Sequence, residues 1–352
     1  MQDKILIIGG YGVVGGHIAE YLSHLYPQQI IVSGRSYAKA EKFAKKLSNR
    51  VIAFELDIDT FEDDVFLDEV RMVIVCLDTA HIRLAEVCVS RSIIYLDISA
   101  QYETLARIET LNTTAIVNKS TAVLSVGLAP GLTNLLAQYC YSQLSSTQYI
   151  DIFVLLGLGE KHGKQAYRWT FNHMDHNYQV GSAVIKSFTS PIHTELHSMR
   201  SFYTFDFSDQ HVLTSTLSPV EVRTRLSFDV KWFTKATFIL KKIGLTKLLK
   251  KQKIQDVIIK NLHSWSLGTS IFGVKVVAKN VSNTSVSYSF IGYDESKVTA
   301  IFASELVQYI LQNPNLPHGV LHSQQLIKDI PAFIAKIQQH DPRFQFKSSS
   351  NS

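Results

Sequence analysis

Lys4-Ile5-Leu6-Ile7-Ile8-Gly9-Gly10-Tyr11-Gly12-Val13-Val14-Gly15-Gly16-His17-Ile18-Ala19 is the stretch on which the fold turns. Its first five residues form a short apolar run without helical spacing, the pattern of a strand buried on both faces. A glycine-rich turn follows at once, and within it Gly10, Gly12 and Gly15 fit G-x-G-x-x-G. Each glycine has a physical task. Gly10 permits the tight turn, Gly12 lets a pyrophosphate approach the backbone, and Gly15 lets the following helix pack against the strand. Tyr11, Val13 and Val14 complete the turn. The free N–H groups at the helix start, with the positive end of the helix dipole, favour phosphate. Strand, turn and helix in that order imply a dinucleotide-binding unit.

The next strand, Gln29 to Ser33, ends in Ser33-Gly34-Arg35-Ser36. Turns that hold NAD carry Asp or Glu about 20 residues past the glycines, to accept the ribose 2′-OH. Here no carboxylate ends the strand. Arg35 is placed to grip a 2′-phosphate and Ser36 to donate a hydroxyl, so NADP is expected and NAD is disfavoured. The rival reading stacks Arg35 on adenine.

Further strands are read at Val51–Asp57, Met72–Leu77, Ile93–Ser99 and Ala122–Val126, alternating with helical segments such as Tyr37–Leu47. Asp57 stands where adenine contacts are often made, and reads equally well as an exposed turn acid. Leu77 and Asp78 border the nicotinamide side, because ligands of open parallel sheets bind outside the carboxyl ends of the strands. Pro130 restricts Ala129 to extended backbone, and Gly131 frees the chain to begin another helix; its N–H groups facing an anion and a plain interdomain turn are equal readings.

Several of these segments resemble one family. The run Cys88 to Ser99, with Tyr95, Asp97 and Ser99, is similar to the Y-x-D-x-S stretch of the saccharopine dehydrogenase (reductase-type) family. Gly127-Leu128-Ala129-Pro130-Gly131 through Ala137 resembles its proline–glycine segment, and Ser33-Gly34-Arg35 its second-strand ending. The likeness covers about the first 140 residues, with Ser92 where the family commonly has glycine. It implies an NADP-dependent oxidoreductase acting at an amine or imine carbon of an amino-acid-like or polyamine-like small molecule. In relatives the loop Gly157–Lys164 lines the cleft, which implies that Lys161, His162 or Arg168 faces substrate. Lys161 and His162 are the candidate acid–base residues, His162 reading otherwise as a polar loop residue.

Beyond Tyr149, strand-like segments (Ile150–Leu156, Ser201–Phe207, Val220–Phe228, Gly273–Ala278, Ser285–Gly292) alternate as in a mixed sheet half open to solvent. The expected fold class is α/β: an N-terminal Rossmann doubly wound parallel sheet with a second α+β domain of mixed or antiparallel strands. The first domain spans 1–128 and is completed by returning helices at about 293–340, and 129–292 forms a substrate or dimerisation domain. The stretch Lys235–Lys260 is basic and partly apolar, with eight lysines, and Gly244 divides it into two helices. A docked helix with a lysine face is favoured over a membrane-surface segment. Lys297–Leu311 is the returning helix, Pro331–Ile337 a last short one, and Ser348–Ser352 a frayed tail.

Composition narrows the classes. With 352 residues, 46% hydrophobic and 18% charged, the chain suits a two-domain globular protein. The net charge of +5 is too mild to argue for nucleic acid. No apolar run reaches a membrane span, so membrane contact is not expected. Met1 to Lys4 leads straight into the first strand, leaving no room for a signal peptide, and three cysteines without metal-type spacing suit a cytoplasmic protein. His173, Asp175 and His176 lack a convincing further ligand, so no metal is expected. A homodimer is left open. The alternative to an enzyme is an NADP-binding sensor or membrane-associated protein that kept the fold without the chemistry.

Overall fold

The computed structural model describes residues 2–79, 81–160, 164–218, 220–264 and 267–351. In chain order the first part runs β1 (Lys4–Ile8), α1 (Val13–Leu25), β2 (Ile30–Gly34), α2 (Tyr37–Lys46), β3 (Val51–Glu55), β4 (Val70–Val75), α3 (Arg83–Ser90), β5 (Ile94–Asp97), α4 (Tyr102–Glu109), α5 (Asn112–Val117) and β6 (Thr121–Leu124). There follow α6 (Thr133–Gln143), β7 (Thr147–Leu156), α7 (Lys164–Met174), β8 (Asn177–Val180), β9 (Ala183–Lys186), β10 (Ile192–Leu196), β11 (Ser198–Thr204), α8 (Ser208–Thr216) and β12 (Glu221–Phe228). The last part is α9 (Lys231–Lys242), a 3₁₀ turn (Leu245–Lys250), α10 (Gln252–Ser264), β13 (Ile271–Asn280), β14 (Ser285–Tyr293), α11 (Glu295–Gln312), β15 (Gly319–His322), α12 (Ser323–Leu326), α13 (Ile330–Gln339) and β16 (Gln345–Asn351). The chain divides into two compact units, Met1–Gly131 with Ser296–Ile337 and Leu132–Glu295 with Gln338–Ser352.

The first unit holds a seven-stranded sheet in the order β15-β6-β5-β4-β1-β2-β3, parallel throughout. Its central strands are apolar and buried on both faces, as parallel strands covered by helices require. Strand order reverses at β1, which lies between β2 and β4, so a crevice opens there at the carboxyl edge. Strand β15, short and far along the chain, was not anticipated from sequence. A buried polar link secures this edge of the sheet. Ser125 Oγ lies 2.8 Å from His322 Nδ1, His322 Nε2 lies 3.0 Å from Glu109 Oε1, and Ser323 Oγ donates to the Ser125 carbonyl. Ser125 has no exposed surface, so this Ser–His–Glu series ties strands together and does not present a nucleophile.

The second unit holds a mixed seven-stranded sheet in the order β10-β11-β12-β7-β13-β14-β16, with the β8–β9 hairpin beside it. Strands β12 and β7 are parallel and the other pairs antiparallel. The end of the chain departs from the sequence reading. Ser348 to Asn351, expected as part of a frayed tail, belong to β16, whose backbone pairs with β14 from Gln345 opposite Ile291 to Asn351 opposite Ser285. Consecutive serines give no alternating apolar signal, yet their backbone N–H and C=O groups pair as well as any others.

Candidate functional site

The dinucleotide turn is built by close backbone approach. The N–H groups of Gly9 and Gly10 both donate to the Ser33 carbonyl, at 2.8 and 3.1 Å, pinning the turn to the end of β2. A Cβ on Gly15 would stand 2.3 Å from the Gly9 carbonyl oxygen, and one on Gly10 2.8 Å from that of Ile7. Neither position admits a side chain without moving backbone. Gly12 differs. A Cβ there would meet only the Gly9 oxygen, at 3.0 Å, and the residue is exposed. Gly12 is also the N-cap of α1 and supplies no side-chain cap, so the first-turn N–H groups are left for an external acceptor. Val13 and Val14 follow it, Val13 being 51% exposed.

At the end of β2, Arg35 is exposed, and among the described residues nothing pairs with its guanidinium. Ser36 caps α2, its Oγ accepting the Lys39 N–H at 3.4 Å, which leaves its own hydrogen free to donate. Tyr11 lies over Gly34, since a Cβ on Gly34 would come within 2.5 Å of the Tyr11 hydroxyl. Ser33 Oγ is buried without a hydrogen-bond partner. An uncapped helix start, an open cradle at Gly12 and an unengaged guanidinium fit a phosphorylated dinucleotide.

A carboxylate stands beside this strand end, supplied by the neighbouring strand. Glu55, at the end of β3 and in register with Gly34, accepts the Tyr37 N–H through Oε2 at 2.9 Å. It was missed because the expected acid belongs to β2, and a neighbouring strand 20 residues on supplies this one. Asp57 Oδ1 accepts the Asp59 N–H at 3.1 Å, and Thr79 Oγ1 donates to Asp59 Oδ1 at 2.9 Å, so the loops after β3 and β4 are joined. Leu77 packs beside Gly9, where a Cβ would touch it at 3.0 Å.

The loop carrying Asp78 leads to a buried polar network at the ends of β4 and β5. Ser99 Oγ donates to Asp78 Oδ1 at 3.3 Å, while the Ser99 N–H and the Tyr95 hydroxyl both donate to Asp97, each at 2.7 Å. Asp97 is fully buried. Burial pushes its carboxyl up to about 6, opposed by the bonds from Tyr95 and Ser99. Within the Tyr95–Ser99 stretch, then, Asp97 fixes the course of the loop. Gly131 sits after β6 with φ +138, a conformation that favours glycine, close to the backbone of Ser125 and Val126.

In the second unit, Lys161 and His162 lie outside the described residues. Arg168 pairs with Asp256 at 2.8 Å. His173 Nδ1 is 2.7 Å from the Trp169 carbonyl, and Asp175 pairs with Lys241. Among the described residues no group of three His, Cys, Asp or Glu side chains is placed to hold a metal.

A doubly wound sheet with a phosphate turn at its switch point and a cation at the end of β2 defines a Rossmann domain of the NADP-binding kind. Residues 5–123 match the family described as Saccharopine dehydrogenase NADP binding domain, which agrees with an NADP-binding, oxidoreductase-type fold for this part of the chain. The whole chain is similar in structure to an apo saccharopine dehydrogenase (L-Glu forming) from Saccharomyces cerevisiae, with TM-score 0.68 and 12% identity over 99% of this chain and 100% of that one. A myo-inositol dehydrogenase from Corynebacterium glutamicum also matches, with TM-score 0.45 and 10% identity over 100% of both chains. No curated protein sequence matches.

Proposed function

We propose that this protein is an NADP-dependent oxidoreductase that transfers hydride at the amine or imine carbon of an amino-acid-like or polyamine-like substrate. The observation that carries the reading is the phosphate turn, open at Gly12 and flanked by the unengaged Arg35 at the end of β2. In this reading Gly10, Gly12 and Gly15 shape the turn, and the N–H groups at Val13 and Val14 hold the pyrophosphate. Arg35 and Ser36 take the 2′-phosphate. Asp57 borders the adenine, and Leu77, Asp78 and Gly131 border the nicotinamide. NADPH, when bound, supplies the hydride, and the protein's part is to orient it and exclude water. The proton is assigned to Lys161 or His162. The saccharopine dehydrogenase character of the yeast neighbour and the family of residues 5–123 support the amine chemistry.

The test is NADPH oxidation in a matrix of 2-keto acids and aldehydes, each with and without an amino acid or polyamine. Oxidation that requires both carbonyl and amine is expected. Tight NADPH binding with no turnover across the matrix would instead mark a binding protein, since fold alone does not fix chemistry.

A further inference from the structure

The basic stretch after β12 is not used by the proposed chemistry, and its surface is unlike the rest of the chain. Between Lys231 and Lys260 stand nine lysines against Asp256 alone, a net +8 in a chain whose total is +5, leaving −3 for everything else. The same stretch holds seven of the eighteen large apolar side chains left exposed among the described residues, so charge and exposed hydrocarbon are concentrated together.

Their arrangement on α9 is ordered. One side of the helix is docked: Thr234 and Thr237 are buried, and Lys241 reaches Asp175 at 2.5 Å. Opposite lies a stripe of Trp232, Ile239 and Ile243, spaced i, i+7, i+11 and 63%, 50% and 63% exposed. Lys231, Lys235 and Lys242 are exposed along one flank of that stripe. Beyond Gly244, whose φ of +75 turns the chain, Leu245 and Leu248 are exposed beside Lys247 and Lys250. The helix is therefore docked, as its sequence suggested, but its free face is amphipathic and not lysine alone.

We propose that this face is a peripheral docking surface for an anionic phospholipid membrane. An apolar stripe with an indole at its start and lysines beside it matches the boundary between acyl chains and negative headgroups. No helix among the described residues is long and apolar enough to cross a membrane, and lying on one surface requires none. A second copy is a poor occupant. A two-fold interface sets the same patch against itself, which would oppose two surfaces of like charge. Nucleic acid is poorer still, because a lone indole among aliphatic Ile and Leu side chains offers no run of aromatic faces on which successive bases stack.

The full-length chain is tested by co-sedimentation with phosphatidylcholine vesicles, with and without phosphatidylglycerol. Binding to the anionic vesicles is expected to exceed that to neutral ones by at least about tenfold and to weaken as salt rises. Trp232 emission should be quenched by brominated lipid, a change lost in Trp232→Phe. Ile239→Asp with Ile243→Asp, and separately Lys235→Glu with Lys242→Glu, should abolish sedimentation while the thermal midpoint and NADPH affinity stay those of the parent. If a variant does not fold, the quenching of the parent protein decides. Failure of the parent to bind anionic vesicles, equal binding to neutral ones, or unchanged binding by both folded double variants would overturn the proposal. So would a solution dimer that the Ile239 and Ile243 changes convert to monomer.

Discussion

The two seven-stranded sheets draw on the same apolar residue types and use them differently. In the first, the inner strands are short and almost wholly buried, as in β6, and all strands run the same way, so every carboxyl end reaches one edge. In the second, β10 alternates between exposed and more buried positions, and antiparallel pairs send strand ends both ways. A sheet whose strands all point one way gathers loops into a site. A sheet that alternates spreads its loops and serves as a frame. The comparison predicts that point changes at the first sheet's carboxyl edge separate into those that break the fold and those that spare it but remove the ligand.

The largest effect should come from Gly15. A valine there drives Cβ into the Gly9 carbonyl, at a cost of about 3 kcal/mol or more for backbone overpacking. Thermal unfolding should drop steeply. Gly12→Val, three residues earlier, faces only a 3.0 Å contact and should leave the melting point nearly unchanged while calorimetry shows NADPH binding lost. Equal destabilisation by the two changes would erase the distinction between packing and ligand glycines.

Asp97 gives a pH-dependent test of the same edge. Its native value of about 6 lies above the ordinary ~3.9 of an aspartate, so the folded state holds the proton more tightly than the unfolded state. The stability this group contributes is full below pH ~4 and is lost as pH rises towards about 6, by about 3 kcal/mol in all. Denaturant unfolding of the parent against Asp97→Asn should show the gap changing across that window in the parent's disfavour. A gap independent of pH would mean that Asp97 does not titrate there.

Smaller effects concern cofactor choice. Arg35→Ala should weaken NADPH by about 1.5–3 kcal/mol, the range for a charge-assisted bond, and leave NADH nearly unaffected. Equal losses would mean that Arg35 stacks on adenine. Glu55→Gln is the smallest. It keeps the acceptor for the Tyr37 N–H and removes a negative charge beside the 2′-phosphate position, so NADPH should gain less than about 1 kcal/mol over NADH. A gap widened by weaker NADH binding, with NADPH affinity unchanged, would place Glu55 on the ribose 2′-OH instead.

The legibility of the two units follows from the same physics. β1, the turn and α1 could be read because burial on both faces and steric demands on glycine leave marks within about 20 residues. Glu55 could not, because which residue of β3 stands beside Gly34 is set by strand register. Nor could the link from Ser125 to His322, which joins residues 197 apart in the chain. β16 was hidden by its serines. The exposed side of α9 was half legible, its lysines and aliphatics being plain while their share of free surface was not.

The central claim is that the first sheet's carboxyl edge is built for a dinucleotide bearing a 2′-phosphate. Calorimetric titration of the unmodified protein with NADPH and then NADH tests it most directly. The account predicts that NADPH binds at one site per chain at least about tenfold more tightly than NADH, a gap of roughly 1.4 kcal/mol. Equal affinity for the two, or no heat from either, would contradict it.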